Sequence, residues 1–327
     1  MEGNKDDDSV DDGLDAKLFY GENACECIVV KTGKQCSNYA YYFDRGKVLC
    51  GMHSKKESRQ KLPVNPNKNE LRIKLLEDAR RNIDKQAETN REKSLKGIVV
   101  VSKMRMMKKP PHFNGMLNVY PNYKDQNRKD GFGCMRLSPK SLGPVEHNMP
   151  GLPAATTIEN YHQFAKFWDF ELDQDGNIKE EYLEKRKVAY TSAPQRHKYN
   201  RQFLIEQSKN GNPNCPSFSM YYDKEGKEHR YSYLQCRYFY CHWYELLAKK
   251  EQDFLVLKQK ILDGYDINIV GYDGYSVDTD LWVCFNDTSR PFGHELVLYT
   301  MLVEEDRDKY PWNRFYRENR YLYENVI

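Results

Sequence analysis

Length, composition and charge exclude several classes of protein. The chain has 327 residues, 39 % of them hydrophobic, which is enough to bury a core in one large domain or two. Its 51 basic and 48 acidic residues leave a net charge of only +3, and no apolar run approaches the roughly 18 residues that span a bilayer, so we expect a soluble intracellular protein of the cytoplasm or nucleus, without a membrane partner.

Residues 1–19 are predicted to form a disordered acidic tail. The first fifteen residues carry seven carboxylates and one lysine, and such a charge-rich segment cannot bury enough apolar surface to fold. An acidic start is also incompatible with a secretory signal. We therefore expect most of the nine cysteines to be reduced thiols or metal ligands rather than parts of a secreted disulfide framework.

Residues 20–56 are predicted to form a small zinc-binding module. The candidate ligands are Cys27, Cys36, Cys50 and His53. The last two are separated by two residues and the first two flank a turn, and such short chelating pairs supply the four ligands of tetrahedral zinc. The spacing resembles small Cys3His fingers, although Cys25 competes with Cys27 for the first position. Because few apolar residues lie nearby, we expect the module to need structural zinc in order to fold.

Residues 57–96 are predicted to form a basic linker that contains a helix, since apolar residues recur there at helical spacing. The wider segment 54–110 has seventeen Lys or Arg residues against seven Asp or Glu residues. Such an excess of positive charge can contact the phosphates of DNA or RNA. A solvated helical face is the alternative interpretation.

The main domain is predicted to occupy residues 97–327 and to begin with a short strand. Two loops rich in proline and glycine lead to a pair of threonines that can cap a helix at Thr157. On that helix Glu159, Gln163 and Lys166 are four and seven residues apart and share one face. A carboxylate, an amide and an ammonium group beside aromatic residues suit a polar pocket. An amphipathic helix whose charged face meets water is the alternative.

Two further segments of the main domain carry clustered polar residues. The first cluster consists of Arg196, His197 and Lys198. These side chains can bind an anionic substrate or lie in a solvated loop. A long helix is predicted over residues 235–262, with Arg237 and Glu245 expected in ion pairs at its surface. Polar groups directed at the pocket are the alternative for these two residues. Beyond it, a tight turn presents Asp273 between two aromatic residues.

The helix motif and a later turn together resemble the NADAR (YbiA-like) family. Its members read roughly Leu-Ser-Asn-Phe, a loop, then Thr-x-Glu-His-x-x-Gln-x-x-Lys, and this chain has Thr157-x-Glu159-x-x-x-Gln163-x-x-Lys166 after a Leu-Ser loop. The family pattern closes with Asp-x-x-Trp-Gly, near which this chain has Asp278-Thr-Asp280-Leu-Trp282. The chain departs from that pattern, because Val283 replaces the glycine and residues 292–295 read Phe-Gly-His-Glu instead of Asn-x-Leu-Gly.

The resemblance implies an α+β, predominantly helical fold with a NADAR-like main domain. It also implies an N-glycosidase that acts on a ribose-phosphate or ADP-ribose-linked base, including ADP-ribosylated guanine in nucleic acid, without a redox cofactor. Glu159 would stabilise positive charge on the sugar, and Asp280 or Asp273 would orient ribose hydroxyls. Lys166 would protonate the leaving nitrogen, or attack the opened sugar as an amine if burial lowers its pKa. The remaining substrate contacts would come from Gln163, Arg196, His197, Lys198, Tyr275 and Trp282.

The departures from the family pattern leave a second interpretation open. They fall where a substrate would be held, so the large domain could bind a ligand without turning it over. The zinc module and the basic helix would then be the functional part, and the protein would be a non-catalytic nucleotide- or nucleic-acid-binding protein.

Overall fold

The computed structural model describes residues 21–106, 108–197, 199, 203, 216–324 and 326. The predicted acidic tail and Lys198 therefore lie outside the described residues. The chain divides into two compact units, Met1–Asp78 and Ala79–Ile327. The fold is mixed α and β. No helix among the described residues is both long enough and apolar enough to cross a membrane.

The first unit is built from short antiparallel strands. These are β1 (Ile28–Val29), β2 (Lys34–Gln35), β3 (Tyr42–Asp44), β4 (Lys47–Leu49) and β5 (Gln60–Lys61). β1 pairs with β2, and the other three form a sheet in the order β4-β3-β5. Positive φ angles at Arg45 and Gly46 close the β3–β4 hairpin. The buried Asp44 carboxylate stabilises the following loop by accepting hydrogen bonds from the Lys55 amide and the Ser58 hydroxyl, each at 2.8 Å.

A long helix, α1 (Lys68–Glu92), contains the boundary between the two units. The strands that follow are β6 (Val99–Lys103), β7 (Leu117–Tyr120), β8 (Phe132–Gly133), β9 (Lys166–Phe167), β10 (Phe218–Tyr222), β11 (Glu228–Tyr231) and β12 (Ile267–Gly271). The helices that follow are α2 (Ile158–Gln163), α3 (Glu180–Thr191), α4 (Tyr233–Ala248), α5 (Gln252–Leu262), α6 (Leu281–Asn286), α7 (His294–Val303) and α8 (Pro311–Glu318).

The second unit has a four-stranded parallel sheet in the order β6-β12-β7-β8. Its central strand, β12, is buried at all five residues, and Ile269 pairs with Val101 on one side and Val119 on the other. A parallel sheet is covered on both faces, so its strands are largely apolar rather than alternating. The buried Asn118 of β7 and Asn268 of β12 are exceptions, and the Asn268 side-chain amide donates a hydrogen bond to Asn118 Oδ1 at 2.8 Å. A second, antiparallel sheet has the order β11-β10-β9.

Two predicted helices are shorter than expected. The helix that carries Glu159 ends at Gln163, and Lys166 lies in β9, where it pairs with Ser219 of β10. The sheet supplies the backbone hydrogen bonds that a longer helix would have made, including one from the Met220 amide to the Ala165 carbonyl at 2.8 Å. The predicted helix over 235–262 is divided into α4 and α5, with Glu251 as the residue that precedes α5.

Candidate functional site

A cavity of about 670 Å³ lies where the parallel strands of the second unit end. Its walls include the segments that follow β6, β7 and β12, together with side chains of α2 and α4 and the first turn of α7. The carboxyl ends of parallel strands are the usual place for ligand sites, because the connecting loops diverge there and leave a crevice. Of the predicted site residues, the cavity brings together Glu159, Gln163, Lys166, Arg196 and Asp273.

α2 positions the first carboxylate of the cavity. The Thr157 hydroxyl accepts the Asn160 amide at 3.2 Å and caps the helix. The buried Asn160 side chain anchors the helix by donating to the Ala189 carbonyl at 2.9 Å. The Glu159 side chain is only 12 % exposed, and its Oε1 atom lies 3.4 Å from Arg196 Nε without accepting a hydrogen bond from any described residue. Glu159 therefore lines the cavity and has a shielded carboxylate oxygen whose hydrogen-bonding capacity is unused among the described residues.

A second carboxylate, Glu295, enters the cavity from the first turn of α7. It is fully buried, its Oε1 accepts the Asp273 amide at 3.3 Å, and its Oε2 lies 3.2 Å from His294 Nδ1. A Cβ atom at Gly271 would stand 1.9 Å from Oε1, and one at Gly293 would stand 2.8 Å from Oε2. At both positions this carboxylate approaches the backbone so closely that a side chain would fit only if Glu295 shifted.

A neutral phenol and a neutral imidazole lie between the charged groups. Burial raises the pKa of Tyr240 well above its ordinary value, and the negative charges of Glu159 and Glu295 raise it further. Burial lowers the pKa of His162 well below its ordinary value, with the Lys166 charge adding to the effect. The two ring centroids are 4.8 Å apart. At neutral pH this wall of the cavity can therefore donate hydrogen bonds without adding charge.

Basic and aromatic side chains complete the cavity. The basic residues of its lining are Lys124, Lys140, Lys166, Arg196 and Arg237, and the aromatic ones are Tyr123, Tyr233, Tyr240, Tyr272 and Phe292. This composition gives anionic groups of a ligand several counter-charges and gives flat rings several surfaces to pack on.

Arg237 and Glu245 are both buried rather than exposed on the helix surface. Arg237 lines the cavity, which is the alternative that the sequence left open, whereas Glu245 forms ion pairs with Lys249 at 2.7 Å and with Arg307. Arg237 donates to the backbone carbonyls of Phe285, Asp287 and Arg290, and so fixes the loop beyond α6. Glu245 accepts the indole N–H of Trp312 at 2.8 Å. A buried charge needs such partners because desolvation is costly.

Asp280 and Trp282 are not part of the cavity. The Asp280 carboxylate accepts the Trp282 amide at 2.7 Å and caps α6, which occupies its oxygen with a structural bond. The Trp282 ring packs against Phe285 and receives the Arg314 guanidinium 4.1 Å from its centroid. The predicted roles of Asp280 on ribose hydroxyls and of Trp282 on a base therefore have no counterpart in this cavity.

Tyr275 and His197 also lie outside the cavity. Tyr275 lines a different groove, described below. His197 is buried, where its Nε2 lies 2.9 Å from the Tyr199 hydroxyl and 3.2 Å from Glu171 Oε1, and its ring stacks on Phe164. Of the predicted cluster at residues 196–198, Arg196 alone lines the cavity, and Lys198 is outside the described residues.

The candidate metal centre of the first unit consists of Cys25, Cys36, Cys50 and His53. Their ligand atoms all lie within 4.8 Å of one another, and His53 Nδ1 is 3.5 Å from Cys25 Sγ and 3.4 Å from Cys50 Sγ. A tetrahedron with Zn–S bonds of about 2.3 Å and a Zn–N bond of about 2.0 Å places its ligand atoms about 3.5–3.8 Å apart. These four residues can therefore hold a metal ion such as zinc.

Cys25, rather than the predicted Cys27, completes this set. Cys25 is fully buried with the other two thiols, whereas the Cys27 thiol is turned toward the Ile28 carbonyl at 3.5 Å. Residues two apart share one face of an extended segment, so alternation alone does not separate Cys25 from Cys27. The number of residues that separate each of them from Cys36 does not show which one is the ligand. The eight cysteines that the structure describes are free of disulfides.

The sequence interpretation missed Glu295, His294 and Tyr240 as cavity residues. A signal for Glu295 was present, because a carboxylate in the first turn of an otherwise apolar helix must either meet solvent or have a buried partner. Tyr240 gave no such signal in a helix with many aromatic residues. Comparison of the chain with protein-family models, with curated proteins and with solved structures gave no match.

Proposed function

We propose that the second unit hydrolyses an N-glycosidic bond of a ribose-phosphate compound, with ADP-ribosylated guanine in nucleic acid and ADP-ribose-type nucleotides as the first substrates to test. The observation that carries this proposal is the placing of Glu159 and Glu295 in one cavity together with basic and aromatic side chains. The volume of about 670 Å³ falls within the range of roughly 300–1,000 Å³ that small-molecule sites occupy.

The reaction breaks the bond between the ribose anomeric carbon and the base nitrogen. Positive charge develops on the sugar as that bond lengthens, and a carboxylate close to it stabilises the transition state. A water molecule then adds its hydroxyl to the anomeric carbon and releases its proton to the surrounding water, while the departing nitrogen takes up a proton from an acid of the site, which solvent protonates again. The Glu159 carboxylate, whose Oε1 atom accepts no hydrogen bond from a described residue, suits the first task. Lys166, which lines the same cavity, is the proton donor that we assign to the leaving base.

Glu295 takes the role that the sequence interpretation gave to Asp280. Its Oε2 accepts no hydrogen bond from a described residue apart from the close approach of His294 Nδ1. A buried carboxylate with spare acceptor capacity can receive two ribose hydroxyls. Arg196 and the lysines of the lining would bind the phosphates. We include in this proposal a NADAR-like fold for the second unit and a structural zinc ion in the first unit.

The second candidate function is ligand binding without turnover. It is favoured by the position of Asp280 and Trp282 outside the cavity, since the resemblance assigns both of them to substrate contacts. In that case the cavity would hold a nucleotide, and the two carboxylates would serve recognition alone.

Replacement of Glu159 by glutamine tests the proposal. The substitution keeps the size of the side chain and removes its charge, so hydrolysis should fall on the order of a hundredfold or more. Base release from ADP-ribosyl-guanosine and from ADP-ribose-linked nucleotides is followed by chromatography. The matched control is Glu180→Gln, an exposed residue of the first turn of α3, which should keep full activity.

Three outcomes are distinguishable in this experiment. A slow Glu159→Gln variant with an unchanged melting temperature supports hydrolysis. Full activity of that variant would exclude Glu159 from the reaction and overturn the mechanism. A wild-type chain that binds these nucleotides, loses affinity on Glu159→Gln and releases no base would establish the binding interpretation instead.

A further inference from the structure

A second groove, which we call the basic groove, lies along the edge of the parallel sheet. Its volume is about 610 Å³, and one wall is Val100–Lys103 of β6. β6 is the edge strand, since the sheet order places β12 on one side of it and no described strand on the other. The loop after β12 borders both sites, because Tyr272 and Asp273 line the cavity whereas Tyr275 and Ser276 line the groove.

The charge of the basic groove has one sign. Its charged lining residues are Lys103, Arg105, Lys108 and Lys109. Lys103 and Arg105 are exposed and form no ion pair within the described part of the chain. The surrounding sequence adds to this field, because residues 93–124 contain seven Lys or Arg residues and no Asp or Glu. Four cations in succession match a row of phosphates better than the single anionic group of a metabolite.

The floor of the basic groove is apolar and carries an exposed ring. Val101 and Met116 form part of the floor, and Phe113 is 46 % exposed at the rim. The Tyr275 hydroxyl is buried and has no hydrogen-bond partner among the described residues, so a ligand can supply one. An apolar floor with a free ring suits the flat faces of bases, which are accessible in a single strand and hidden in a duplex.

We infer that the basic groove binds single-stranded nucleic acid through phosphate contacts of Lys103 and Arg105 and through stacking of a base on Phe113. This activity goes beyond the proposed hydrolysis and does not require it, since none of these residues lines the cavity. It places the predicted nucleic-acid contact of residues 54–110 in a defined part of that segment. A phosphate backbone held here by several cations would make the affinity depend strongly on salt.

The test measures binding of a fluorescent twelve-nucleotide oligo-dT and oligo-U to the full chain by anisotropy over a range of salt concentrations. The double variant Lys103→Gln/Arg105→Gln should lose at least tenfold in affinity at low salt. The slope of log affinity against log salt should fall by about 1.4, because each single-strand phosphate contact contributes about 0.7. Phe113→Ala should weaken binding about fivefold and leave the slope unchanged, since it removes stacking and no charge.

The matched control is Lys250→Gln/Lys258→Gln, which removes the same charge from exposed positions outside the groove. Equal losses in the control and in the groove variant would show that net charge alone attracts the strand, and would overturn the inference. So would tighter binding of a duplex, or binding of a poly-glutamate peptide that is as strong as that of the oligonucleotides. None of these outcomes depends on turnover, so failure here is separable from failure of the hydrolysis proposal.

Discussion

His147 illustrates how a single buried side chain ties the stability of the second unit to pH. Its Nδ1 accepts the Met149 amide at 3.0 Å, and its Nε2 lies 3.0 Å from the Pro153 carbonyl, which fixes the neutral tautomer with the proton on Nε2. Burial, and then the charge of Arg186, lower the pKa of His147 to about 4. Protonation of Nδ1 would break the bond from Met149 and place two cations side by side.

We therefore expect the free energy of unfolding of the second unit to fall as the pH decreases from about 6.5 to about 4. The unfolded histidine binds its proton near pH 6.5 and the folded one near pH 4. Between these values the unfolded state binds more protons, so each decrease in pH lowers the free energy of unfolding. The loss that His147 contributes is about 2–3 kcal/mol. Urea unfolding followed by tryptophan fluorescence measures it, because all four tryptophans lie in the second unit.

The control for this prediction is His147→Asn, whose amide does not titrate. The stability difference between the wild type and this variant should shrink by the stated amount between pH 7 and pH 4. A difference that stays constant over that range would contradict the role of His147. Other buried histidines contribute equally to both proteins and cancel in the comparison.

The role of a residue could be predicted from the sequence where its partners are a few positions away. It could not be predicted where the partners come from a distant part of the chain. Thr157 caps α2 as expected, because capping needs only the four residues that follow. The same local pattern places Glu159 and Gln163 on one helix, as the structure has them. The position of Glu295 at the start of an apolar helix signals a buried partner, but local order does not identify that partner, since the Asp273 amide is 22 residues away.

At the scale of elements, the segment from Glu159 to Lys166 shows how strand pairing can end a helix. The aromatic run after Gln163 is compatible with a longer helix, and helical spacing alone predicted one over Glu159, Gln163 and Lys166. Pairing of β9 with β10 ends the helix and still leaves Lys166 in the cavity. Residues 218–222 that form this pairing are far along the chain, so no local pattern reveals the competition.

The small first unit provides a prediction on metal removal. Its buried apolar residues form two small clusters, one of which consists largely of the candidate ligands themselves. We expect one tightly held zinc ion per chain, and we expect a chelator to unfold residues 21–66 while the tryptophan signal of the second unit stays unchanged. Metal content by elemental analysis and near-ultraviolet circular dichroism of the tyrosines measure the two effects.

Two serine variants make this prediction specific. Cys25→Ser should abolish stoichiometric zinc, whereas Cys27→Ser should retain it, because Cys27 lies outside the group of converging ligand atoms. Loss of zinc in the Cys27 variant together with retention in the Cys25 variant would reverse the ligand assignment. A purified wild-type chain with well under one metal ion per molecule would reject the site.

At the scale of the whole molecule, the chain divides into two compact units after residue 78, which falls inside the predicted linker of residues 57–96. The helix expected within the linker of residues 57–96 extends past the boundary, and its last turns belong to the second unit. There the buried Asn90 side chain donates to the Gly264 carbonyl at 2.8 Å and to Asp266 Oδ1 at 3.0 Å. The exposed charges on α1 gave no indication of this anchor, because Asn90 is polar and resembles the solvated face around it.

Removal of that anchor should destabilise the second unit. Asn90→Ala eliminates two buried hydrogen bonds and leaves the Gly264 carbonyl without its donor, at a cost of about 1–3 kcal/mol. Glu88→Ala, at an exposed position two residues earlier, should change the stability by less than about 0.5 kcal/mol. Denaturant unfolding monitored by tryptophan fluorescence compares the two, and equal effects would show that α1 is a linker as predicted.

The order of strands in the parallel sheet has a consequence for synthesis of the protein. β12 separates β6 from β7, yet it begins about 150 residues after β7 and about 170 residues after β6 in the chain. At a translation rate of about 5–20 residues per second, the two earlier strands wait roughly 8–30 s on the ribosome before their shared partner emerges. During that interval their apolar edges are open to other chains, so the growing polypeptide should depend on chaperones until its last quarter has been translated.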